Sequence, residues 1–308
     1  MQDYLLAVDI GNAETKTESG IQFISGVSRD IVKPKYAGEI LTYEGDYYLL
    51  SKKRLPYMPE RTHDENHFIL ALFALAKELK RAGNTPREVN LTIATGLPIA
   101  AYSIRSETYA DYFMKHSDFS FSYEDQQYQC HIEKTLVYIQ GLSALLLCDF
   151  DYSSAHRAIL VDIGGYTVDA AEMHYGKLNT DFVRSYNMGI ITFTNEVLAK
   201  INRTFGEEYR EQDILEMLKS PRLPGVPQKI INFVHQEASG YATSILEVLR
   251  EEHVNLNSTL LVFAGGGAQL LQTFLSAAEP AMRCCYIKDP CANAKGYGIL
   301  ARKELQRI

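Results

Sequence analysis

The sequence predicts an α/β protein of two related domains, and three observations lead there. Apolar runs of five to seven residues stop at glycine four times: LLAVDIG at 5–11, NLTIATG at 90–96, AILVDIG at 158–164 and LLVFAGGG at 260–267. Short apolar runs bounded by glycine read as buried strands. Helix-forming stretches lie between them, and strands alternating with helices give an α/β architecture. Finally, the strand ending on Asp-x-Gly occurs twice, at Asp9 and at Asp162, 153 residues apart. That spacing is too long for a solenoid repeat, so it marks two related domains facing one another.

The remaining elements follow in chain order. YEGDYYLL at 43–50 reads as a hairpin turning at EGD, and FSFSYEDQQYQCHIEKTLVYI at 119–139 as a second. Residues 64–82 read as a helix that Asp64 caps and that ends in basic residues before Gly83. Its apolar positions run nearly all the way round, which predicts burial between layers. Residues 227–252 and 293–306 read as two further helices. LPYMPERTHDEN at 55–66 and SPRLPGVPQ at 220–228 are the clearest loops.

Composition excludes several classes. A chain of 308 residues with 46% hydrophobic content can fill two cores. Its formal charge of -7 argues against direct nucleic-acid binding or an anionic membrane, both of which need clustered positive charge. The start carries Asp3 and no basic segment, which predicts a cytoplasmic protein without a secretory leader. The five cysteines form no C-x-x-C pair and are expected as reduced, structural thiols.

Each Asp-x-Gly unit has the makings of a phosphate site. Glycine permits a tight turn whose amides approach a phosphate closely, and the carboxylate at the strand end can hold a hydrated Mg²⁺. In the first unit Asp9, Gly11 and Asn12 form the turn, and Lys16 on the returning strand could reach phosphate oxygens. Asp162, Gly164, Gly165 and Thr167 form the second. Gly265, Gly266 and Gly267 end a further strand and would let a flat nucleoside lie against bare backbone. Each part alone also reads as an ordinary turn. No G-x-x-x-x-G-K-[ST] occurs, so a Walker-type NTPase is excluded by pattern.

In order, DIGNAETK, YIQGLSALLL, VDIGGYTVD, FAGGGAQLL and ANAKGYGILA resemble the five-part nucleotide signature of the actin, DnaK-type chaperone and sugar kinase superfamily. Within it, FALAKELKRAGNTPREVNLTIATGLPIAAYS and CANAKGYGILA look most like the ParM-type actin-like ATPases of bacterial plasmids and phages. The resemblance implies an actin-like fold of two related lobes, each a mixed central sheet flanked by helices, with residues 1–150 plus 293–308 as lobe I, 151–292 as lobe II and the nucleotide in the cleft between. It implies ATP, or GTP, with Mg²⁺ held through water by Asp9 and Asp162. The phosphates would be held by Lys16 and the backbone around Gly11, Asn12, Gly164 and Gly165, with Thr167 in the same loop.

Gln140 would orient the attacking water, since an amide is no general base at neutral pH. Asp169 is a second candidate for that task, and Asp162 is grouped with both as catalytic. Glu216 and Lys219 would touch the base. YIQGLSALLL and ANAKGYGILA, read as helices crossing between lobes, would form a hinge with small residues Gly141, Ser143, Ala144, Ala292, Ala294 and Gly296.

The implied function is a polymerising ATPase whose partners are further copies of itself and a DNA-binding adaptor. The tip YEGDYYLLSKKRLPYMP, through Tyr47, Tyr48, Tyr57 and Met58, is the expected filament contact. A small-molecule kinase of the same superfamily and a non-hydrolysing nucleotide-sensing adaptor are the alternatives.

Overall fold

The computed structural model describes residues 1–35, 38–58, 60–83 and 87–306. Pro59 of the proline-rich loop and residues 84–86 of the stretch used for the family resemblance lie outside the described residues. The chain divides into two compact units, Met1–Leu147 with Asp289–Ile308, and Cys148–Lys288.

The first unit opens with β1 (Gln2–Ile10), β2 (Glu14–Thr17), β3 (Gln22–Ile24), β4 (Val27–Asp30), β5 (Leu41–Tyr43) and β6 (Asp46–Leu50). It continues through α1 (Asn66–Arg81), β7 (Glu88–Leu97), α2 (Ile99–Met114), β8 (Asp118–Tyr123) and β9 (Gln126–Ile139). Its sheet runs β3-β2-β1-β7-β9-β8-β5-β6-β4, with β1, β7 and β9 parallel and the other pairs antiparallel.

In the second unit come β10 (Ala158–Ile163), β11 (Val168–His174), β12 (Lys177–Tyr186), α3 (Ile190–Phe205), α4 (Glu211–Lys219) and α5 (Gln228–Glu251). They are followed by β13 (Leu260–Ala264), α6 (Gly266–Ala278) and β14 (Cys284–Tyr286). Its sheet order is β12-β11-β10-β13-β14, and β10, β13 and β14 are parallel. The chain then returns to the first unit as α7 (Ala292–Leu305). Among the described residues no helix is long and apolar enough to cross a membrane.

The five strands β3-β2-β1-β7-β9 have the same order and directions as β12-β11-β10-β13-β14. The repeated motif therefore reflects a repeated half-sheet, with β1 and β10 in equivalent places. In β1 the side chains alternate between faces, as strand geometry requires. Leu6, Val8 and Ile10 join a core with α1 and α2, whereas Ala7 joins Ala94, Leu136, Tyr297 and Ala301 against α7. Small residues at 7 and 94 let α7 sit close to the strands.

α1 is buried from Phe68 through Ala76 and again at Glu78 and Leu79, as its all-round apolar pattern predicts. Glu78 is tolerated inside because Ser19 Oγ donates to its Oε1 at 2.6 Å. Asp64 stands one residue before the N-cap, Glu65, yet its Oδ1 accepts the amide of Asn66 at 3.0 Å. The first hairpin turns on Glu44 and Gly45, both at positive φ, which is what a two-residue type I′ connection needs.

Two expectations fail. β7 does not stop at Gly96 but runs to Leu97. The glycine serves packing: a Cβ there would sit 2.2 Å from the Tyr297 hydroxyl oxygen. YIQGLSALLL is not a helix crossing between units: Tyr138 and Ile139 end β9, Gly141 takes φ 79, and Ser143–Leu147 forms one short 3₁₀ stretch. The left-handed glycine breaks the run, and Ser143 Oγ donates back to Ile139 O at 2.9 Å. This stretch and α7 belong to the same unit, where Gly296 packs directly on the Ser143 backbone.

A Cβ at Gly296 would lie 2.1 Å from Ser143 O, and backbone cannot swing aside as a side-chain tip can. Gly296→Ala should destabilise the first unit by about 1–3 kcal/mol. Gly240, exposed in α5 with nothing within 4 Å of its virtual Cβ, is the control. Gly240→Ala should stabilise by about 0.5–1 kcal/mol. Urea unfolding of both variants checks the pair, and equal effects would refute the packing argument.

Candidate functional site

The two Asp-x-Gly turns are built alike. In the first, Gly11 N–H donates to Glu14 O at 3.1 Å; in the second, Gly164 N–H donates to Thr167 O at 2.9 Å. Each turn closes a strand pair in which the residue seven positions on lies opposite the aspartate, so Asp9 pairs with Lys16 and Asp162 with Asp169. The same turn thus carries a cation opposite its carboxylate in one unit and a second carboxylate in the other.

Asp9 is only 7% exposed. Asn293 Nδ2 donates to its Oδ2 at 3.4 Å, while Oδ1 is buried and accepts no hydrogen bond from any of the described residues. A buried carboxylate oxygen without a donor is costly, and such atoms in native folds point to an unseen partner. Burial raises the Asp9 pKa from its ordinary 3.8, and the nearby Lys16, Arg61 and Asn293 offset this only in part. Lys16 Nζ lies 3.2 Å from Glu14 Oε2, the salt bridge at the rim of the turn.

Sequence reasoning missed two residues here. Asn293, inside the quoted segment ANAKGYGILA, accepts the Gly141 amide on Oδ1 at 2.8 Å while its Nδ2 reaches Asp9. It therefore ties the carboxylate to the turn that carries Gln140. Gln140, half-buried, donates its backbone N–H to Leu97 O at 2.8 Å, at the end of β7.

Arg61 is the other. It comes from the proline-rich loop yet is buried, and its Nη1 donates to Ile10 O at 3.2 Å and Gly96 O at 3.5 Å. It props the turn from behind. Arg61 and His67 border a small cavity of about 20 Å³ beside Gly11 and Asn12. Burial, with Arg61 adding to it, holds His67 well below its ordinary pKa, so the ring is neutral. A loop composition signal cannot reveal a buried arginine, because the carbonyls it serves are distant in sequence.

In the second unit Asp162 is 6% exposed at the end of β10. Thr167 Oγ1 donates to Asp169 Oδ2 at 3.0 Å, so these two predicted residues act as a pair. The turn is braced by backbone: Ile190 N–H donates to Gly164 O and Ile191 N–H to Gly165 O, at 3.0 and 2.8 Å. α3 starts there. Gly265 follows β13 at φ 88, and a Cβ on it would lie 2.4 Å from Asp162 Oδ1. Only glycine fits against that carboxylate. Gly266 and Gly267 form the first turn of α6, whose free amides favour an anion.

Glu216 and Lys219 are both exposed on α4, whose buried face is Ile214, Met217 and Leu218. α4 packs against α5 and α6.

Comparison with solved structures gives the class: the chain has the actin-like fold. It superposes on the crystal structure of Ta0583, an archaeal actin homologue, with a TM-score of 0.79 at 19% identity, covering 97% of this chain and 99% of that one. A 15-stranded ParM filament from Clostridium botulinum gives 0.74 at 18%, covering 98% and 100%. Bacillus thuringiensis ParM with ATP gives 0.70 at 15%, covering 99% and 100%. Residues 7–142 match the N-terminal domain of actin-like proteins, and residues 160–277 the C-terminal part of the archaeal MreB-like actin homologues. No curated protein matches the chain.

The raised pKa of Asp9 has a stability consequence. A carboxyl that titrates higher in the fold than in the unfolded chain contributes stability fully below about pH 4, which is lost as pH rises through its folded value. Without nucleotide or Mg²⁺, Asp9→Asn should therefore gain steadily on the parent chain as pH rises from about 4 to 7. Chemical denaturation across that range checks the slope. A difference that stays flat with pH would remove the buried-charge account.

Proposed function

We propose that the chain is a magnesium-dependent ATPase whose nucleotide state governs its assembly into filaments. The observation that carries this is the buried, unserved oxygen of Asp9 on a turn that recurs at Asp162. Such an oxygen suits the waters of a hydrated divalent ion, since Mg²⁺ keeps most of its water shell. When bound, magnesium would neutralise charge on the phosphates. The chain's own part is to hold and orient.

In this reading both turns serve one nucleotide. Amides of Gly11, Asn12, Gly164 and Gly165, with Thr167 and Lys16, hold phosphate oxygens, while Asp9 and Asp162 accept from metal-bound waters. Asn293 fixes the Asp9 carboxylate relative to Gln140. Gln140 positions the attacking water, or Asp169 does so, held in place by Thr167 Oγ1. Gly265–Gly267 form the bare backbone for the nucleoside, and Glu216 and Lys219 contact the base. Two structural relatives add support: the archaeal homologue has been crystallised in complex with ADP, at TM-score 0.75, and the Bacillus protein with ATP. Segregation of plasmid or phage DNA through a DNA-binding adaptor is the biological role we propose.

Filament contacts are assigned to the tip around β5 and β6, with one amendment. Tyr48 is 5% exposed and belongs to the core, because it pairs inward across the hairpin with Leu41. Tyr57, 45% exposed, and the exposed Lys52 and Lys53 remain at the surface side of the assignment with the half-buried Arg54, together with Ile31 and Val32 beyond β4 at 81% and 73%.

Asp9→Ala and Asp162→Ala should each weaken Mg-ATP binding by about 10- to 100-fold, as expected for lost charge-assisted contacts. Calorimetry with and without Mg²⁺ is the measurement, and unaltered affinity in both variants would sink the shared-nucleotide reading. Sedimentation of the parent chain with a slowly hydrolysed ATP analogue should show polymer. Reversing the charge of Lys52, Lys53 and Arg54 together should raise the critical concentration and leave ATP affinity alone; an unchanged critical concentration would reject the tip.

A further inference from the structure

The five cysteines are all free, and two of them touch: Cys148 Sγ and Cys285 Sγ lie 3.8 Å apart although 137 positions separate them in sequence. Their places in the fold give the contact meaning. Cys148 is the first residue of the second unit, and Cys285 is the middle residue of β14, the edge strand of its sheet, three residues before that unit ends at Lys288. The pair therefore joins the two chain ends of the unit. Both side chains are half-buried, neither sealed in the core nor free in solvent.

We propose that Cys148 and Cys285 are an oxidisable dithiol, a modification site that a low-molecular-weight disulfide such as oxidised glutathione converts into an intramolecular disulfide closing the second unit end to end. The thiolate of Cys148 attacks one sulfur of the reagent, forming a mixed disulfide and releasing one thiolate. Cys285 then loses its proton and attacks the Cys148 sulfur, expelling the second thiolate. The protein gives up two protons and two electrons, and the reagent is reduced to two thiols. Contact at 3.8 Å leaves about 2 Å to close to bond length.

The order of attack follows from the surroundings. Burial, together with the neighbouring Cys148, pushes the Cys285 thiol up to about 12, so it is the poorer first nucleophile. Once Cys148 is bound in a mixed disulfide its thiolate charge and hydrogen bond are gone, and part of what restrained Cys285 goes with them. Cys284 is excluded by strand geometry, since adjacent residues on β14 point to opposite faces. Cys130 and Cys291 are buried, at 0% and 2% exposure.

The test uses the intact chain under native conditions, with oxidised glutathione followed by alkylation, intact mass and peptide mapping. The expected product is a monomer two hydrogens lighter, with a Cys148–Cys285 cross-linked peptide that dithiothreitol reverses. Its second unit should melt about 5 °C or more higher, because a loop of this length is constrained in the unfolded chain. Cys285→Ser should instead accumulate a stable glutathione adduct on Cys148, and Cys284→Ser should keep the cross-link. A persistent adduct on Cys148 of the parent chain, a cross-link through Cys284, a cross-link between two molecules, or no reaction would each overturn the proposal. The mapping of the parent chain stands even if a variant misfolds. All of these outcomes are independent of nucleotide binding.

Discussion

A carboxylate buried at the end of a parallel strand, one residue before a turn that only a short glycine-centred connection can make, is the constraint on which the rest of each unit depends. Asp9 lies 7% exposed with one oxygen unserved, and the fold supports it by converging elements from far along the chain. Asn293 arrives from α7, Lys16 from the returning strand and Arg61 from a loop between β6 and α1. Removing charge from water costs several kcal/mol unless partners compensate. The partners that do so here also fix the turn's shape. An arrangement that is unfavourable for stability and yet braced from three directions is what a binding site requires.

The second unit solves the same problem with different chemistry. Where the first places Lys16 across from its aspartate, the second places Asp169, and Thr167 donates to that second carboxylate. Two acidic groups across one strand pair favour a cation, while an acid and a lysine favour an anion held beside one. The duplication therefore yields two turns of equal backbone and unequal charge. Gly265 shows how tightly the backbone is drawn in: the Asp162 carboxylate occupies the space a Cβ would take.

Close packing of small residues recurs wherever α7 meets the first unit. Gly296 rests on the Ser143 backbone, Gly298 on the Glu18 carboxylate, and Gly96 under the Tyr297 ring. The first of these contacts couples α7 to the turn after β9, and Asn293 on the same helix extends that coupling to Asp9. Sequence had marked Gly96 as a strand end and the 138–147 segment as a helix. The first reading rests on local pattern and the second on the family resemblance, and both give way to contacts that neither contains.

What the sequence by itself determined was the α/β architecture, the doubled Asp-x-Gly strand and the long buried helix, read at 64–82 and found at 66–81, because each is written in local periodicity and turn chemistry. Apolar alternation dictates which side of β1 meets which helix, and glycine dictates where the chain can reverse. Tertiary structure alone decided that Arg61 would prop Ile10, that Asn293 would reach Asp9, that Tyr48 would turn inward, and that Cys148 would meet Cys285. The arginine, asparagine and cysteine contacts join residues 51, 284 and 137 positions apart. No local rule governs such distances, since the energy that selects them is the pairing of polar groups and volumes only after the strands have set the walls.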